Sequence, residues 1–215
     1  MSLHARGHVF LVDDNPDIRY YLADLLKKVD YSIEQYADAT EFLRQSMDVS
    51  PAVLVLDVRM PGMSGVELQT RLAGLGRHTP IIFISGESQT QEIIQAMKGG
   101  AIEFLWKPFQ IQTLIDAIDR GLALDEQRRD MFIRTVNMRR KISELSAREK
   151  QVFLLMLQGQ GNKGIGEILN IQADTIKKHR ANILQKMQAH QLADLMQMSQ
   201  GMDIAGMVQQ QNHAD

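Results

Sequence analysis

The chain has 215 residues, a length typical of one large or two modest domains. It contains no cysteine, which excludes disulfide bonds, thiolate zinc sites and cysteine nucleophiles. The formal net charge of −2 by itself argues against a dedicated nucleic-acid binder. No apolar run approaches the ~18 residues of a membrane span, and no signal peptide is visible at the start, so we expect a cytoplasmic protein that does not enter a membrane.

The overall charge conceals a difference between the two parts of the chain. Residues 1–120 carry 11 Lys and Arg against 16 Asp and Glu, a net charge of −5, whereas residues 121–215 carry 13 against 10, a net charge of +3. Within residues 139–190 the count is 10 against 4, a net charge of +6. These shifts predict two domains of different character, with a boundary near residues 120–145.

The first part alternates short apolar runs with segments of helical length. The predicted strands are His8–Val12, Ser32–Tyr36, 52–56, 81–84 and 103–105. The predicted helices are 17–29, 39–47, 66–75, 91–97 and 111–122. Several of the strands are apolar throughout, as parallel strands buried on both faces are. The alternation predicts a flavodoxin-like, doubly wound α/β fold with five parallel strands in the order 2-1-3-4-5.

The second part contains no convincing strand. Residues 121–143 are charged, with scattered apolar side chains, and predict a helical linker that self-associates. Further helices are predicted over 147–158, 163–169, 175–187 and 191–198. The segment 201–215 is polar and rich in glutamine, and we expect it to be a flexible tail.

Three carboxylates lie at the ends of two predicted neighbouring strands. Asp13 and Asp14 follow the first strand and Asp57 follows the third, so they are expected to meet in one crevice. Three close negative charges are costly unless a cation neutralises them, and oxygen ligands suit Mg²⁺. Ser85 ends the fourth strand and Lys107 follows the fifth. A hydroxyl and an ammonium facing the carboxylates form a plausible phosphoryl clamp.

Each of these residues alone has a simpler explanation. Two aspartates before Asn15 and Pro16 can serve only as helix cap and turn, Asp57 can be a loop residue, and the Lys-Pro pair can be a turn. Their joint placement at four strand ends favours a functional site.

Four motifs together resemble the receiver domain of two-component response regulators. The resemblance covers about residues 7–122 and is carried by VDDN at 12–15, LDVRMPGMSG at 56–65, ISG at 84–86 and GAIEFLWKPF at 100–109. It implies that Asp57 accepts a phosphoryl group from a sensor histidine kinase. It further implies that Mg²⁺ is held by Asp13, Asp14, Asp57 and the backbone carbonyl of Arg59.

The same resemblance assigns roles around the phosphoacceptor. Ser85 and Lys107 would bind the phosphoryl oxygens. Phe104 takes the position of the aromatic switch of the family, although simple strand packing explains it equally well. The peptide bond before Pro108 is expected to be cis.

The basic second part carries the pattern of a helix-turn-helix. Ser146 and Glu149 have the spacing of a capping box, which starts a helix. A short helix, a turn at 170–172 and a second helix with Lys177 and Lys178 on its outer face follow. The alternative is a helical bundle whose lysines are merely solvated.

The stretch from Leu145 to Met187 resembles the LuxR-type four-helix output domain, over about residues 142–200. Its pairing with a receiver is typical of NarL/FixJ-type transcription factors. The resemblance places Lys177, Lys178 and Ala181 at base edges and makes Lys163, Thr175 and Arg180 phosphate-contact candidates. Three residues depart from the family pattern and are expected to weaken the output domain: Gly164, Gly166 and Gln172.

The sequence therefore predicts a transcription regulator, not an enzyme, with a receiver at 1–122, a helical linker at 123–141, an output domain at 142–200 and a tail at 201–215. The expected partners are a sensor histidine kinase, double-stranded promoter DNA, RNA polymerase and, on activation, a second copy of the chain. Two alternatives are a haloacid-dehalogenase-like phosphatase and an output domain that binds protein or RNA. The phosphatase is disfavoured because its two aspartates usually lie two residues apart at one strand end.

Overall fold

The computed structural model describes residues 6–45, 49–87 and 89–212. The chain forms two compact units, Met1–Arg129 and Asp130–Asp215. The border between them falls inside the segment predicted as a linker, 123–141. In the described part of the chain, no helix is long and apolar enough to cross a membrane.

The first unit is built on a parallel sheet of five strands in the order β2-β1-β3-β4-β5, as predicted. The strands are β1 His8–Val12, β2 Ser32–Tyr36, β3 Ala52–Asp57, β4 Ile81–Ser85 and β5 Glu103–Trp106. Both β1 and β3 are buried along their whole length. Their register pairs Val12 with Leu56, so Asp13, which follows β1, and Asp57, the last residue of β3, lie side by side at the carboxyl edge of the sheet.

Helices cover both faces of this sheet. They are α1 Pro16–Lys28, α2 Ala39–Leu43, α3 Gly65–Gly74, α4 Thr90–Lys98 and α5 Ile111–Ser143. Asn15 caps α1 by accepting from the backbone N–H groups of Asp17 and Ile18. One apolar cluster includes Phe42 and Leu68, and a second includes Leu22 and Leu114, so each face of the sheet has its own core. The predicted second helix, 39–47, ends earlier at Leu43, and its last residues lie outside the described part.

Helix α5 runs without a break from the first unit through the predicted linker. Its central turns are tied to the start of β3, since the Asp125 carboxylate accepts from the Ser50 hydroxyl at 2.8 Å and from the Ala52 backbone N–H at 3.0 Å. The Arg129 guanidinium donates to the Ser50 carbonyl at 2.8 Å. These bonds explain why the first unit extends to residue 129, beyond the predicted end of the receiver at 122.

The second unit is helical, as predicted. Its helices are α6 Ala147–Leu157, α7 Asn162–Leu169, α8 Ala173–Met187, α9 Leu192–Ser199 and α10 Ile204–Asn212. The predicted capping box is present: Ser146 and Glu149 exchange hydrogen bonds at the start of α6. Burial by itself raises the pKa of Glu149. Hydrogen bonds from Lys186 and Ser146 lower it by more than burial raises it, so the net shift of the pKa is downward.

The prediction of a flexible tail over 201–215 is wrong for α10. Ile204, Met207 and Val208 are buried in the core of the second unit. Their i, i+3, i+4 spacing forms one apolar stripe on a helix, a signal that the surrounding glutamines dilute. Over the described residues, the second unit therefore has one helix beyond the four predicted over 147–198. Residues 213–215 lie outside the described part.

The turn between α7 and α8 depends on Gly166. Asn170 ends α7 in the left-handed conformation, with φ of 54°, and the Ile171 N–H returns to the Gly166 carbonyl at 2.9 Å. A Cβ at position 166 would lie 2.6 Å from the Ile171 carbonyl oxygen. At position 164 a Cβ would meet only the movable Gln160 side chain. The close approach of the backbone therefore gives Gly166 a structural reason that helix propensity does not include, while the expected effect of both glycines on the stability of the domain stays a prediction.

Substitution of the two glycines by alanine is expected to change the stability of the second unit in opposite directions. Gly166→Ala should destabilise the second unit by about 1–3 kcal/mol because the new Cβ cannot be placed without moving the turn. Gly164→Ala should stabilise it by about 0.5–1 kcal/mol through helix propensity. Urea unfolding followed by circular dichroism measures both. Equal effects of the two substitutions would contradict the role given to Gly166.

Candidate functional sites

An acidic pocket lies at the carboxyl edge of the sheet, where the sequence predicts it. Asp13, Asp14 and Asp57 each offer a carboxylate oxygen, and these atoms lie within 4.8 Å of one another. Asp13 and Asp57 are buried and Asp14 is exposed. The pocket exists because β1 and β3 are neighbours and end at the same level.

The ammonium of Lys107 lies between two of these carboxylates. Its Nζ donates to Asp13 Oδ2 at 2.7 Å and to Asp57 Oδ1 at 2.8 Å. Burial and the neighbouring aspartates raise the pKa of Asp57, and Lys107 opposes that shift. Burial by itself lowers the pKa of Lys107, but its two carboxylate partners raise it more strongly, so the lysine remains charged. The Lys107–Pro108 peptide bond is cis, as the resemblance implies.

The charges in the pocket do not balance. Three carboxylates lie together and only the Lys107 ammonium pairs with them, so the carboxylates are in excess of the ammonium. The donors are all oxygens, which a hard divalent cation such as Mg²⁺ prefers over softer metals. The acidic pocket of Asp13, Asp14 and Asp57 is typical of Mg²⁺ binding and fits this ion.

The other predicted members of the site lie around the pocket. Arg59, two residues after Asp57, directs its guanidinium towards Glu92 at 3.4 Å and Glu87 at 3.9 Å. The role of its backbone carbonyl as a metal ligand stays a prediction. Ser85 is buried, and its hydroxyl donates to the Glu87 carbonyl at 2.8 Å. The Lys107 N–H donates to the Ser85 carbonyl at 2.8 Å, which joins the ends of β4 and β5 beside the pocket.

Phe104 is half-buried in the core on the α3–α4 side of the sheet. Its ring stacks on Phe83, with centroids 6.2 Å apart, and meets Trp106 edge-on at 5.4 Å. Strand packing thus accounts for its present position, and its role as a switch stays a prediction.

Two residues near the pocket escaped the sequence reasoning. Arg19 Nη1 donates to the Asp13 carbonyl at 2.7 Å. Gly65 begins α3 so close to β3 that a Cβ there would lie 2.2 Å from the Asp57 carbonyl oxygen. Each acts through the backbone of an aspartate, so no pattern of charged side chains reveals it. A glycine just after the N-cap Ser64 is the one local signal that could have indicated a close approach.

In the second unit, α8 presents two opposite faces. Ile176, Ile183 and Met187 are buried, whereas Lys177 and Lys178 are exposed. This division, with one stripe in the core and a basic exposed surface, is compatible with the predicted recognition helix, and the role of these lysines as DNA contacts stays a prediction. Thr175 and Ala181 are also exposed on α8, and Lys163 is exposed on α7.

Two of the predicted contact residues have partners within the chain. Arg180 is half-buried and donates to the Gln160 carbonyl at 3.3 Å, and Lys177 pairs with Asp174 at 3.0 Å. Both contacts leave the cation close to the surface of α8. Gln172 precedes α8 without a side-chain capping bond, in line with the expected loss of a Ser or Thr cap.

Two protein families match the chain over consecutive segments. Residues 9–119 match the family described as "Response regulator receiver domain", and residues 143–199 match the one described as "Bacterial regulatory proteins, luxR family". The segments coincide with the acidic pocket and the basic helix, respectively.

Proteins similar over nearly the whole chain are found as well. Nodulation protein W of Bradyrhizobium diazoefficiens is 39% identical over 92% of this chain and 87% of its own. Transcriptional regulatory protein FixJ of Rhizobium meliloti is 36% identical over 89% of this chain and 94% of its own. The solved structure of the response regulator StyR is 41% identical, with a TM-score of 0.77, and covers 89% of this chain and 96% of that one.

Proposed function

Because this chain belongs to the response regulators that join a receiver domain to a LuxR-type DNA-binding domain, we propose that phosphorylation of Asp57 controls its binding to promoter DNA. Members of this family are DNA-binding transcription regulators and not enzymes, which sets the phosphatase alternative aside. A receiver implies a sensor kinase as partner. The observation that carries the proposal is the Lys107 ammonium, held 2.8 Å from the Asp57 carboxylate in a pocket that retains excess negative charge.

The proposed transfer of a phosphoryl group from the kinase forms one new bond at Asp57. A carboxylate oxygen of Asp57 forms a bond to phosphorus while the bond from phosphorus to the imidazole nitrogen of the kinase breaks, and the electron pair of that bond stays with the imidazole. Lys107 offers its ammonium to the phosphoryl oxygens. Asp13, Asp14, Asp57 and the Arg59 carbonyl would hold Mg²⁺, which offsets the negative charge that the incoming group brings.

The new charge changes the hydrogen bonds around it. A phosphoryl group adds close to two negative charges, and the Ser85 hydroxyl, at the end of the neighbouring strand β4, would turn from the Glu87 carbonyl towards it. That movement frees space beside β4 into which the Phe104 ring moves. The outer surface of α4 and β5 then changes. Phosphorylation would transmit the signal by shifting the protein from the conformation without this change to the conformation with it.

The surface that changes is also the one we propose for dimerisation. Ile94 and Met97 on α4 and Trp106 on β5 are large apolar side chains between 45% and 48% exposed. Burying them against a second copy removes apolar area from water. A dimer carries two recognition helices, which matches two half-sites about one helical turn apart on DNA.

On DNA, α8 lies in the major groove in this proposal. Lys177, Lys178 and Ala181 face base edges, and Ala181 offers apolar contact, for example to a thymine methyl group. Lys163, Thr175 and Arg180 contact phosphates, which fixes the register without reading the sequence. The regulator acts in the cytoplasm, where the promoter and RNA polymerase are found, and recruits or blocks that enzyme.

The phosphoacceptor is tested by labelling with a small acyl phosphate and Mg²⁺. Wild type should take up label, whereas Asp57→Asn should lose at least about 90% of it because an amide is a poor nucleophile. Asp24→Asn, which removes an exposed carboxylate of α1, is the matched control and should label as wild type does. Equal labelling of Asp57→Asn and wild type would refute the assignment.

The DNA contacts are tested on operator fragments selected from genomic DNA. Lys178→Ala should weaken binding to the selected site by about tenfold or more and relax its sequence preference, because a base contact is lost. Lys163→Ala should weaken selected and random duplexes alike and lower the salt dependence by about one ion. Electrophoretic shifts over a range of salt concentrations separate the two. A uniform loss for Lys178→Ala would remove it from the base-reading set.

A further inference from the structure

The end of β1 is held by a contact from outside the sheet. The Asp13 N–H still donates to the Tyr36 carbonyl of β2 at 3.3 Å, but the Asp13 carbonyl lies beyond the last paired residue of the strand. Arg19, one turn into α1, closes this gap: its Nη1 donates to that carbonyl at 2.7 Å. Among the described contacts, this is the one that ties α1 to the backbone of the acidic pocket by a side chain.

The same residue is fixed on its carboxylate side. Asp13 Oδ1 accepts from the Asn15 N–H at 2.9 Å, and Oδ2 accepts from Lys107 Nζ at 2.7 Å. Asp13 is fully buried, and hydrogen bonds hold both of its carboxylate oxygens and its backbone carbonyl. Loss of the Arg19 bond would release the peptide unit between Asp13 and Asp14, the two residues that present their oxygens to a cation.

We propose that Arg19 is a positioning residue for the divalent cation, acting through the backbone of Asp13. This inference rests on the proposed Mg²⁺ site and adds to it a residue that does not itself touch the ion. Mg²⁺ needs its oxygen ligands in near-octahedral positions, so a small displacement of Asp13 and Asp14 costs affinity. Outer residues of this kind change metal affinity by about 10- to 100-fold when they are removed.

The charge of Arg19 makes the test decisive. A guanidinium beside the pocket repels Mg²⁺, so its removal tightens Mg²⁺ binding if charge is all that Arg19 supplies. A positioning role has the opposite sign, and removal weakens binding. A purely structural role lowers the melting temperature and leaves the Mg²⁺ affinity of the folded protein unchanged.

The experiment is a Mg²⁺ titration of the full chain without phosphodonor. The single tryptophan of the sequence, Trp106, precedes Lys107, and its fluorescence reports Mg²⁺ binding. The second readout is the rise in melting temperature that Mg²⁺ causes. Arg19→Gln should raise the Mg²⁺ dissociation constant about tenfold. Lys27→Gln removes an exposed cation from the far end of the same helix and should stay within about twofold of wild type.

Unchanged or tighter Mg²⁺ binding by Arg19→Gln would overturn the proposal. Arg19→Lys keeps the charge and one donor, and should recover most of the affinity; a loss as large as that of the glutamine variant would also overturn it. If the glutamine variant does not fold, a tenfold or larger rise in the Mg²⁺ dissociation constant of the folded lysine variant relative to wild type would overturn the proposal. No phosphate is transferred in this experiment, so its outcomes are independent of labelling at Asp57. Failure of the wild-type chain to bind Mg²⁺ would instead contradict the proposed metal site.

Discussion

The first unit is organised around excess negative charge at one edge of its sheet. Asp13 and Asp57 are buried side by side because β1 and β3 are neighbours, and a single ammonium, that of Lys107, lies between them. Buried carboxylates of this kind are stable only when cations and hydrogen bonds compensate them. The surrounding contacts serve this need: Lys107 is brought in by its backbone bond to Ser85, and Arg19 and Gly65 fix the backbone on either side.

The negative charge of the pocket is only partly compensated by Lys107. In the function proposed above, Asp13, Asp14 and Asp57 would hold a divalent cation, which would offset this excess charge and the further negative charge of a phosphoryl group. The second unit differs in that its positive charges are exposed. The apolar stripe of α8 is buried, while Lys177 and Lys178 lie on the surface of that helix. The net charge of −2 is the sum of these two specialised parts.

Much of this could be predicted from the sequence. The order of the strands and the meeting of Asp13 with Asp57 follow from the alternation of apolar runs with helical segments, since parallel strands place their carboxyl ends at one edge. The capping box at Ser146 and the basic face of α8 follow from residue spacing. The structure confirms the fold.

The remaining features depend on tertiary contacts. Gly166 looks like a poor helix residue until the backbone of Ile171 is placed 2.6 Å from its missing Cβ. Helix α10 forms because Ile204 and its partners have a core to enter, which composition does not show. Arg19 acts on a carbonyl six residues away, and a backbone acceptor leaves no trace in the sequence.

The most direct measurement is the affinity of the full chain for its selected operator, with and without a small acyl phosphate and Mg²⁺, for wild type and Asp57→Asn. If charge in the pocket of the first unit controls the basic helix of the second, phosphodonor should tighten binding by wild type about tenfold or more and leave Asp57→Asn unchanged. Equal operator affinity of wild type in both conditions, at full phosphorylation of Asp57, would contradict the account.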